Sequence, residues 1–435
     1  MKKHPLVILF AGLFVVVFVA WFFFFDFFLG FLKVPVPPST IYEVKGKYNE
    51  NEYYVKYSDT IKVDIQKGID SIIAEVNASI SLKDSNSIIS KFNKGDSCVF
   101  VDGVFLDLFL ISDEVYECTD SAFDPTVYTI AKLWGFGPDG SEQIDGLYRN
   151  MEDRDLRDSL VLDYVDAASA EMESHMGYSK VRIGGDLLYN TMEEMNDKNM
   201  QDNFACKEDP ALQMDFSALA NGYIVDKIYD YLLYKKKISN FLVYVGGEVI
   251  AAGTRPDGSS WSVEVDNPTK EKATKLGFKL NAEFPAMAVC ENYSTSKRVG
   301  KEVISGTFDP RKHLPVENEM VAVVILGQEC VKADAYATAF MVMGITESID
   351  FLRDSRSAAS ESLHGTGNRR PGGHIVYRHG LRRSFSLDNF AAILSDFHHC
   401  GDSDRQSGSG DPVDRPRPGT DRVWSKKTQP WANDL

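Results

Sequence analysis

An α+β fold, built of mixed sheets and packed helices, is what this chain predicts, and three observations carry that expectation. Short apolar runs, some alternating and some unbroken, recur along the 435 residues as strands do. Stretches with apolar spacing of three and four lie among them, as helices require. Gly-Gly punctuation after one such run gives the strands a hairpin-like arrangement, and the mixture reads as α+β.

The first element is a membrane signal. Lys2 and Lys3 precede an uncharged run from Leu6 to Phe25, about 20 residues, which suffices to span a bilayer. Positive residues before the run predict a cytoplasmic N-terminus with the body on the far side. A cleavable signal peptide is the rival, but its apolar region is usually shorter and ends in small residues. This run ends Trp21-Phe22-Phe23-Phe24-Phe25, and no cysteine follows it to accept a lipid. The expectation is therefore a single N-terminal transmembrane helix in the inner (cytoplasmic) membrane, with the body extracytoplasmic. Residues 1–33 form this anchor or uncleaved signal. Residues 34–40, with Pro35, Pro37 and Pro38, form a short stiff spacer.

The globular body runs over 41–354. Tyr53 to Tyr57 reads as a strand, and Ile61 to Ile80 carries helical spacing. Val104 to Cys118 reads as a helix through Phe105, Leu108, Phe109, Ile111 and Val115. Phe241 to Val245 is a strand that stops at Gly246-Gly247, and Val249 to Ala252 continues as a second. Trp261 to Val265 alternates as a third, and Val321 to Leu326 is a buried strand by its unbroken apolar run.

Composition shifts near Ser355. Eight Arg precede it, whereas ten Arg and only two Lys follow, together with five of the eight His. A disordered tail is the ordinary reading of 355–435. A coding artefact, such as a shifted frame, explains a change from Lys to Arg in mid-domain better. Irregular His spacing argues against a metal site there. The formal charge of −16 argues against a nucleic-acid partner, since phosphate backbones select basic faces. None of the six cysteines forms a CxxC pair or stands at zinc spacing from a His, and nothing suggests a disulfide framework.

Chemistry concentrates in a few segments. Ala333 to Thr338 places Asp334 and Thr338 four residues apart among alanines, on one face if helical. Two hard oxygen donors aimed at one point suit Mg²⁺, which is held by one or two protein oxygens plus substrate phosphates. A buried helix with an incidental Asp, and a Thr bonded to its own backbone, explains the segment equally. In Ala122-Phe123-Asp124-Pro125, the proline forces Asp124 out of helical geometry and fixes its carboxylate on a turn; a helix stop is the alternative. Met214 to Asp226 reads as a helix start, where free amides favour phosphate or simply receive a cap. Gly246-Gly247 admits either a close ligand or a tight turn.

The order of the motifs is more telling than any one of them. Ser87 to Asn93, FDPTV (123–127), LWGFG (133–137), DFSALANGY (215–223), VGGEV (245–249) and ADAYATAFMVMG (333–344) follow one another. In this the chain resembles the FAD:protein FMN transferases, or ApbE family, over about Tyr53 to Leu352. The resemblance implies an ApbE-like, T-fold-related architecture and transfer of FMN from FAD to a Thr or Ser hydroxyl, with AMP released. It implies Mg²⁺ held by Asp334, Thr338 and a backbone oxygen at Ala218. It implies FAD contacted by Ala122, Phe123, Asp124 and Asp215, with Gly246 and Gly247 leaving room and Glu248 standing behind the ligands. A flavin-accepting protein, near the membrane, is the implied partner.

Departures cluster at functional positions. Asn49-Glu50-Asn51 stands for a Met-Gly-Thr, and an aromatic is expected near Lys83. The expected Lys is Asn221, and Val289-Cys290-Glu291 replaces Thr-Ser-Gly. The His that takes the attacking proton is Gly306, and Lys312-His313 stands for Thr-Gly. His313 substitutes only if its loop refolds. The alternative function is therefore a relative that binds FAD, a nucleotide or a protein partner without transfer.

Overall fold

A computed structural model describes residues 39–137, 175–184 and 203–352 apart from short gaps. It also describes the backbone of 353–362 and 390–394 and a few isolated positions such as Trp21. Apart from Trp21, Ser39 and Thr40, the expected anchor and spacer lie outside these residues, as does most of the Arg-rich segment. Among the described residues no helix is long and apolar enough to cross a membrane.

The chain opens with a hairpin of β1 (Thr40–Tyr48) and β2 (Asn51–Asp59), paired from Thr40↔Asp59 to Tyr48↔Asn51. The strand expected over Tyr53–Tyr57 is the centre of β2, which extends two residues further at each end, whereas the sequence gives no clear signal for β1, whose polar Glu43, Lys45 and Lys47 alternate with half-buried Tyr42 and Val44. Helix α1 spans Gln66–Ile80, five residues shorter than the apolar spacing predicts. The reason is local. Asp59 Oδ1 accepts the amides of Thr60 (2.6 Å) and Ile61 (3.4 Å), and the Tyr57 hydroxyl exchanges hydrogen bonds with the Val63 carbonyl (2.8 Å) and amide (2.9 Å). These bonds keep 60–63 out of the helix and leave Ile61 67% exposed.

Next come α2 (Ile88–Lys94), β3 (Cys98–Phe100) and α3 (Gly103–Cys118), whose first turns are capped by the Ser87 and Asp102 side chains. A 3₁₀ turn (Pro125–Val127) leads into α4 (Tyr128–Leu133). Strands β4 (Val181–Gly184) and β5 (Phe204–Lys207) form a small sheet in the order β3-β5-β4. A disulfide joins Cys98 and Cys206, which face each other in the β3–β5 register. Sequence reasoning offered no sign of it.

Helix α5 (Ser217–Asp230) precedes the hairpin of β6 (Phe241–Val245) and β7 (Glu248–Ala252). Strands β8 (Ser262–Asn267) and β9 (Thr274–Lys279) pair with each other, and β10 (Ala286–Glu291) returns to the main sheet. Two short hairpins follow, β11 (Lys297–Val299) with β12 (Glu302–Ile304), and β13 (Phe308–Asp309) with β14 (Leu314–Pro315). Strand β15 (Ala322–Gly327) feeds helix α6 (Cys330–Ser362), which kinks at Gly344 (φ 73°). Phe390–Leu394 form β16, parallel to β15.

The main sheet runs β1-β2-β6-β7-β10-β15-β16. Both faces of its centre are buried, which explains the unbroken apolar runs. Val243, Val245, Val323 and Ile325 meet α5 and α6 through Ile224, Ile228, Ala335, Ala339 and Phe340. Leu242, Val249, Val324 and Leu326 point the other way, to Trp261, Val263 and Val265 of the β8–β9 side. Burying each Val or Leu contributes about 1.5–3 kcal/mol, so this two-faced centre anchors the domain.

Candidate functional site

Helices α5 and α6 approach closely at Gly222. A Cβ there would stand 2.7 Å from Val331 Cα and 2.8 Å from the Cys330 carbonyl. Asp226, one turn further along α5, accepts the Cys330 (3.0 Å) and Val331 (2.9 Å) amides and so caps α6 from the neighbouring helix. Burial pushes the Asp226 carboxyl up to about 7 against these two bonds.

The crossing places Asp334 against α5. Its Oδ2 accepts the Gly222 amide at 3.3 Å. Helix geometry aims that same amide at the Ala218 carbonyl one turn back, so Asp334 docks on the turn of α5 that begins at Ala218. Thr338, one turn on, pairs its hydroxyl with the Cys290 thiol of β10. The sequence alternative of a Thr bonded to its own backbone thus gives way to a partner on another element. Burial and the Asp334 charge push the Cys290 thiol up to about 12.

Glu248 faces the same place from β7. The Gly246-Gly247 turn is a two-residue hairpin with both φ values positive (63° and 125°), a shape glycine adopts without strain. A Cβ on Gly246 would meet the Asn221 carboxamide at 2.7 Å, so this turn also brings α5 close. Glu248 is 3% exposed and bonds Asn221, while its Oε2 has no hydrogen-bond partner among the described residues. Burial raises its carboxyl to about 8. Asp334 is raised well above the carboxylate range by burial and by Glu248. Two buried carboxylates face each other, and their hard oxygens, one of them orphaned, suit a divalent cation. Among the described residues no group of three or more His, Cys, Asp or Glu is arranged around a metal.

The other predicted residues sort differently. Asp124 sits on the expected turn, but Oδ1 accepts the Thr126 amide and hydroxyl, both at 2.7 Å, and the carboxyl also takes the Tyr178 amide. Its side chain therefore ties the 3₁₀ turn to the β4 side; burial raises it to about 6. Ala122 and Phe123 are buried in the main core. Asp215 accepts the Ser217 amide (2.7 Å) and hydroxyl (2.8 Å), and its own amide bonds the Pro125 carbonyl (2.9 Å). The two acid turns are thus brought together through main chain.

Gly306 lies between Ser305, whose hydroxyl bonds Asn292, and Thr307, whose amide bonds Ser305 Oγ at 3.0 Å. His313 closes the turn between β13 and β14 with φ 58°, its amide on the Asp309 carbonyl at 2.9 Å. Phe136 of the LWGFG segment packs edge-on against Phe308 at 5.3 Å. Sequence reasoning did not single out Asp226 as a helix cap or foresee the orphaned Glu248 oxygen. The first had a signal in its place at the end of the DFSALANGYIVD stretch.

A family profile described as the ApbE family matches residues 40–360. The FAD:protein FMN transferase of Haemophilus influenzae is 23% identical over 330 residues, covering 74% of this chain and 86% of that protein. Its namesake from Vibrio cholerae is 25% identical over 313 residues, covering 71% and 83%. Among solved structures, the flavin transferase ApbE from Vibrio cholerae aligns with a TM-score of 0.57 at 24% identity, over 73% of this chain and 92% of that one. The apo flavinyl transferase ApbE of Pseudomonas stutzeri gives 0.58 at 24% identity, over 74% and 89%. The mixed α+β architecture is common to all three. This chain belongs to the ApbE family.

Proposed function

We propose that the protein moves FMN from FAD to a Thr or Ser hydroxyl of another protein. The observation that carries this reading is the pair of buried carboxylates, Asp334 and Glu248, beside the Ala218 carbonyl and the Thr338 hydroxyl. Two buried acids without a cationic partner are costly unless something positive joins them. Asp334, Thr338 and the Ala218 carbonyl would hold Mg²⁺, with Glu248 behind them. Bound there, the ion would neutralise charge on a substrate pyrophosphate.

The chain's own residues do the rest. The α5–α6 crossing fixes Asp334 and Ala218 relative to each other. The Pro125–Asp215 link sets the start of α5, where amides favour phosphate. The acceptor oxygen attacks the phosphorus on the flavin side, the bond to AMP breaks, and the hydroxyl proton leaves to a base. Such transfers depend on positioning and charge neutralisation more than on covalent help. The Cys98–Cys206 disulfide supports a body facing an oxidising compartment, and so the extracytoplasmic placement beyond a membrane anchor.

A second reading, binding without transfer, is favoured by one observation: Gly306 occupies the position expected for the proton-accepting histidine. Incubating the protein with FAD, Mg²⁺ and a Thr-bearing acceptor separates the two. Flavin fluorescence on the acceptor band after denaturing electrophoresis supports transfer. FAD binding by calorimetry with a dark acceptor band supports the second reading.

A further inference from the structure

The small sheet β3-β5-β4 turns one face to the core and the other to solvent. Val181 and Ala205 are buried in the main core, and Val99 and Ile183 pack against it. Alternation along each strand sends the remaining residues outward. Cys98, Phe100, Phe204 and Arg182 are exposed, and Cys206 is half-buried. The register sets them in two rows. Phe100, Phe204 and Gly184 lie side by side, and beside them lie Cys98, Cys206 and Arg182. Phe100 is 74% exposed and Phe204 36%. The Phe204 ring rests against Gly184, where a Cβ would stand 2.1 Å from it. The disulfide thus has an exposed aromatic pair along the strands and a guanidinium across the sheet.

Two features make this bridge a substrate for exchange. The first is access. Cys98 is an exposed residue on an edge strand, where an incoming thiolate can reach it. Cys206 stands directly across from Arg182, and a cation there favours Cys206 as the leaving thiolate. The ion pair of Arg182 with Glu208 is exposed, and such pairs hold their partners weakly. The second feature is order. Cys118, at the end of α3, lies between the two in sequence and stays a thiol. Oxidation in the order of the cysteines would join Cys98 to Cys118, and exchange is then needed to reach the Cys98–Cys206 pair.

We propose that this face is the docking surface for a protein carrying a Cys-x-x-Cys dithiol, which exchanges with the Cys98–Cys206 bridge. Phe100 and Phe204 supply apolar contact beside the sulfurs. The partner's first thiolate attacks the Cys98 sulfur, the bond to Cys206 breaks, and Cys206 leaves as a thiolate. The partner's second thiolate then attacks its own first sulfur, and Cys98 leaves as a thiolate. Two electrons pass to the bridge, its two thiolates take up the two protons the dithiol gave, and the partner departs as a disulfide. The reverse sequence closes the bridge. The effect is carried inward by Lys207, the residue after Cys206. Its Nζ holds the Pro210 and Leu212 carbonyls, both at 2.8 Å, and Asn93 clamps Met214 at 2.9 and 2.8 Å, just ahead of α5. Opening the bridge loosens β5 and this segment with it. None of this rests on the flavin-transfer reading.

The test uses the full-length chain in detergent, with purified thioredoxin as the dithiol. Thioredoxin whose second active-site cysteine is replaced by serine cannot complete the exchange. It is expected to be trapped on Cys98, seen as a new band on non-reducing electrophoresis and assigned by peptide mass. Phe100→Ser is expected to slow opening by intact thioredoxin about fivefold. The same variant is expected to open at the parent rate with dithiothreitol, which needs no docking. Arg182→Gln is expected to slow both reactions about two- to threefold, because Cys206 becomes a poorer leaving group. After opening, hydrogen exchange at the Leu212 and Met214 amides is expected to quicken. Absence of the trapped species, or trapping on a cysteine other than Cys98, overturns the proposal. So does a parent rate with thioredoxin in either the Phe100 or the Arg182 variant.

Discussion

The α5–α6 crossing makes a prediction whose sign is decided by geometry. Replacing Gly222 with Ala in mid-helix should by itself stabilise, since Ala exceeds Gly in helix propensity by about 1 kcal/mol. Here the new methyl would stand 2.7 Å from Val331 Cα, 2.8 Å from the Cys330 carbonyl oxygen and 2.9 Å from the Val331 amide nitrogen. Ordinary carbon contacts begin at about 3.5 Å, so α6 must retreat by roughly 0.8 Å. All three neighbours are main chain, so no side chain can swing away. Overpacking of this kind costs about 1–3 kcal/mol, occasionally more. The retreat also stretches the bonds from Asp226 to the Cys330 and Val331 amides, and that from Gly222 to Asp334. Clash and lost bonds together outweigh the propensity gain, giving a net loss of about 1–3 kcal/mol. At about 2–4 °C per kcal/mol for a large domain, Gly222→Ala should melt several degrees lower. Near-UV circular dichroism on heating measures this, and Mg²⁺-dependent FAD affinity should fall with it. A variant that melts at or above the parent temperature would refute the claim that this contact holds Asp334 in place.

Further predictions concern the site and its supports. Asp334→Ala should abolish the Mg²⁺ dependence of FAD affinity, and Glu248→Gln should shrink the upward shift in melting temperature that Mg²⁺ produces; calorimetry and thermal melts check both. Cys206→Ala opens a disulfide of sequence separation 108; chain entropy alone puts the loss at about 5 kcal/mol and disulfides typically deliver about 2–4 kcal/mol, read as a lower urea midpoint. Burial alone would raise the Asp309 carboxyl, but Arg311, at 3.1 Å and itself bridged to Glu347, holds it below the usual range. A depressed pKa gives stability that is present above about pH 4, the unfolded value, and is lost as pH falls through the folded one. Arg311→Ala should therefore flatten the decline of the urea midpoint between pH 5 and pH 3.

What could be seen in the sequence follows from where each cause resides. Strands β6 and β15 were legible because both their faces are buried, which leaves an unbroken apolar run that polar residues cannot interrupt. Strand β1 is hard to see in the sequence, because it lies at the sheet edge and its polar half hides a weak alternation. The start of α1 was set by Asp59 and Tyr57, whose bonds to the following loop override apolar spacing. At the site, Asp334 and Thr338 were legible because their i,i+4 relation is local. The Thr338–Cys290 pair, the Asp226 cap and the approach of Glu248 to Asp334 were not, because each joins elements 40 or more residues apart in the chain. The Cys98–Cys206 pair is of the same kind. Asp124 was placed correctly on its turn, but its partners Thr126 and Tyr178 turn its carboxylate to a structural use.

The two functional readings part at the proton. His313 is the nearest histidine in sequence to Gly306, yet its turn is braced. The Lys312 and His313 amides bond the Asp309 carbonyl at 3.2 and 2.9 Å, and the Asp309 carboxylate bonds the Arg311 amide at 2.9 Å. Carrying His313 toward Gly306 would break these bonds and the Arg311–Glu347 bridge, so refolding of that loop is a poor source of a base. Gly306, by contrast, is not among the glycines with positive φ, so its backbone accepts a side chain. General-base help is worth about 10²–10⁴ in rate. If the carboxylate site is built for transfer and lacks only a base, Gly306→His should raise the single-turnover rate of acceptor labelling within that range. It should leave FAD affinity unchanged, because the imidazole acts on the acceptor hydroxyl. The measurement is fluorescence of the acceptor band against time at saturating FAD. An unchanged rate with unchanged FAD affinity would mean that the acceptor hydroxyl does not reach this loop, and would favour binding without transfer.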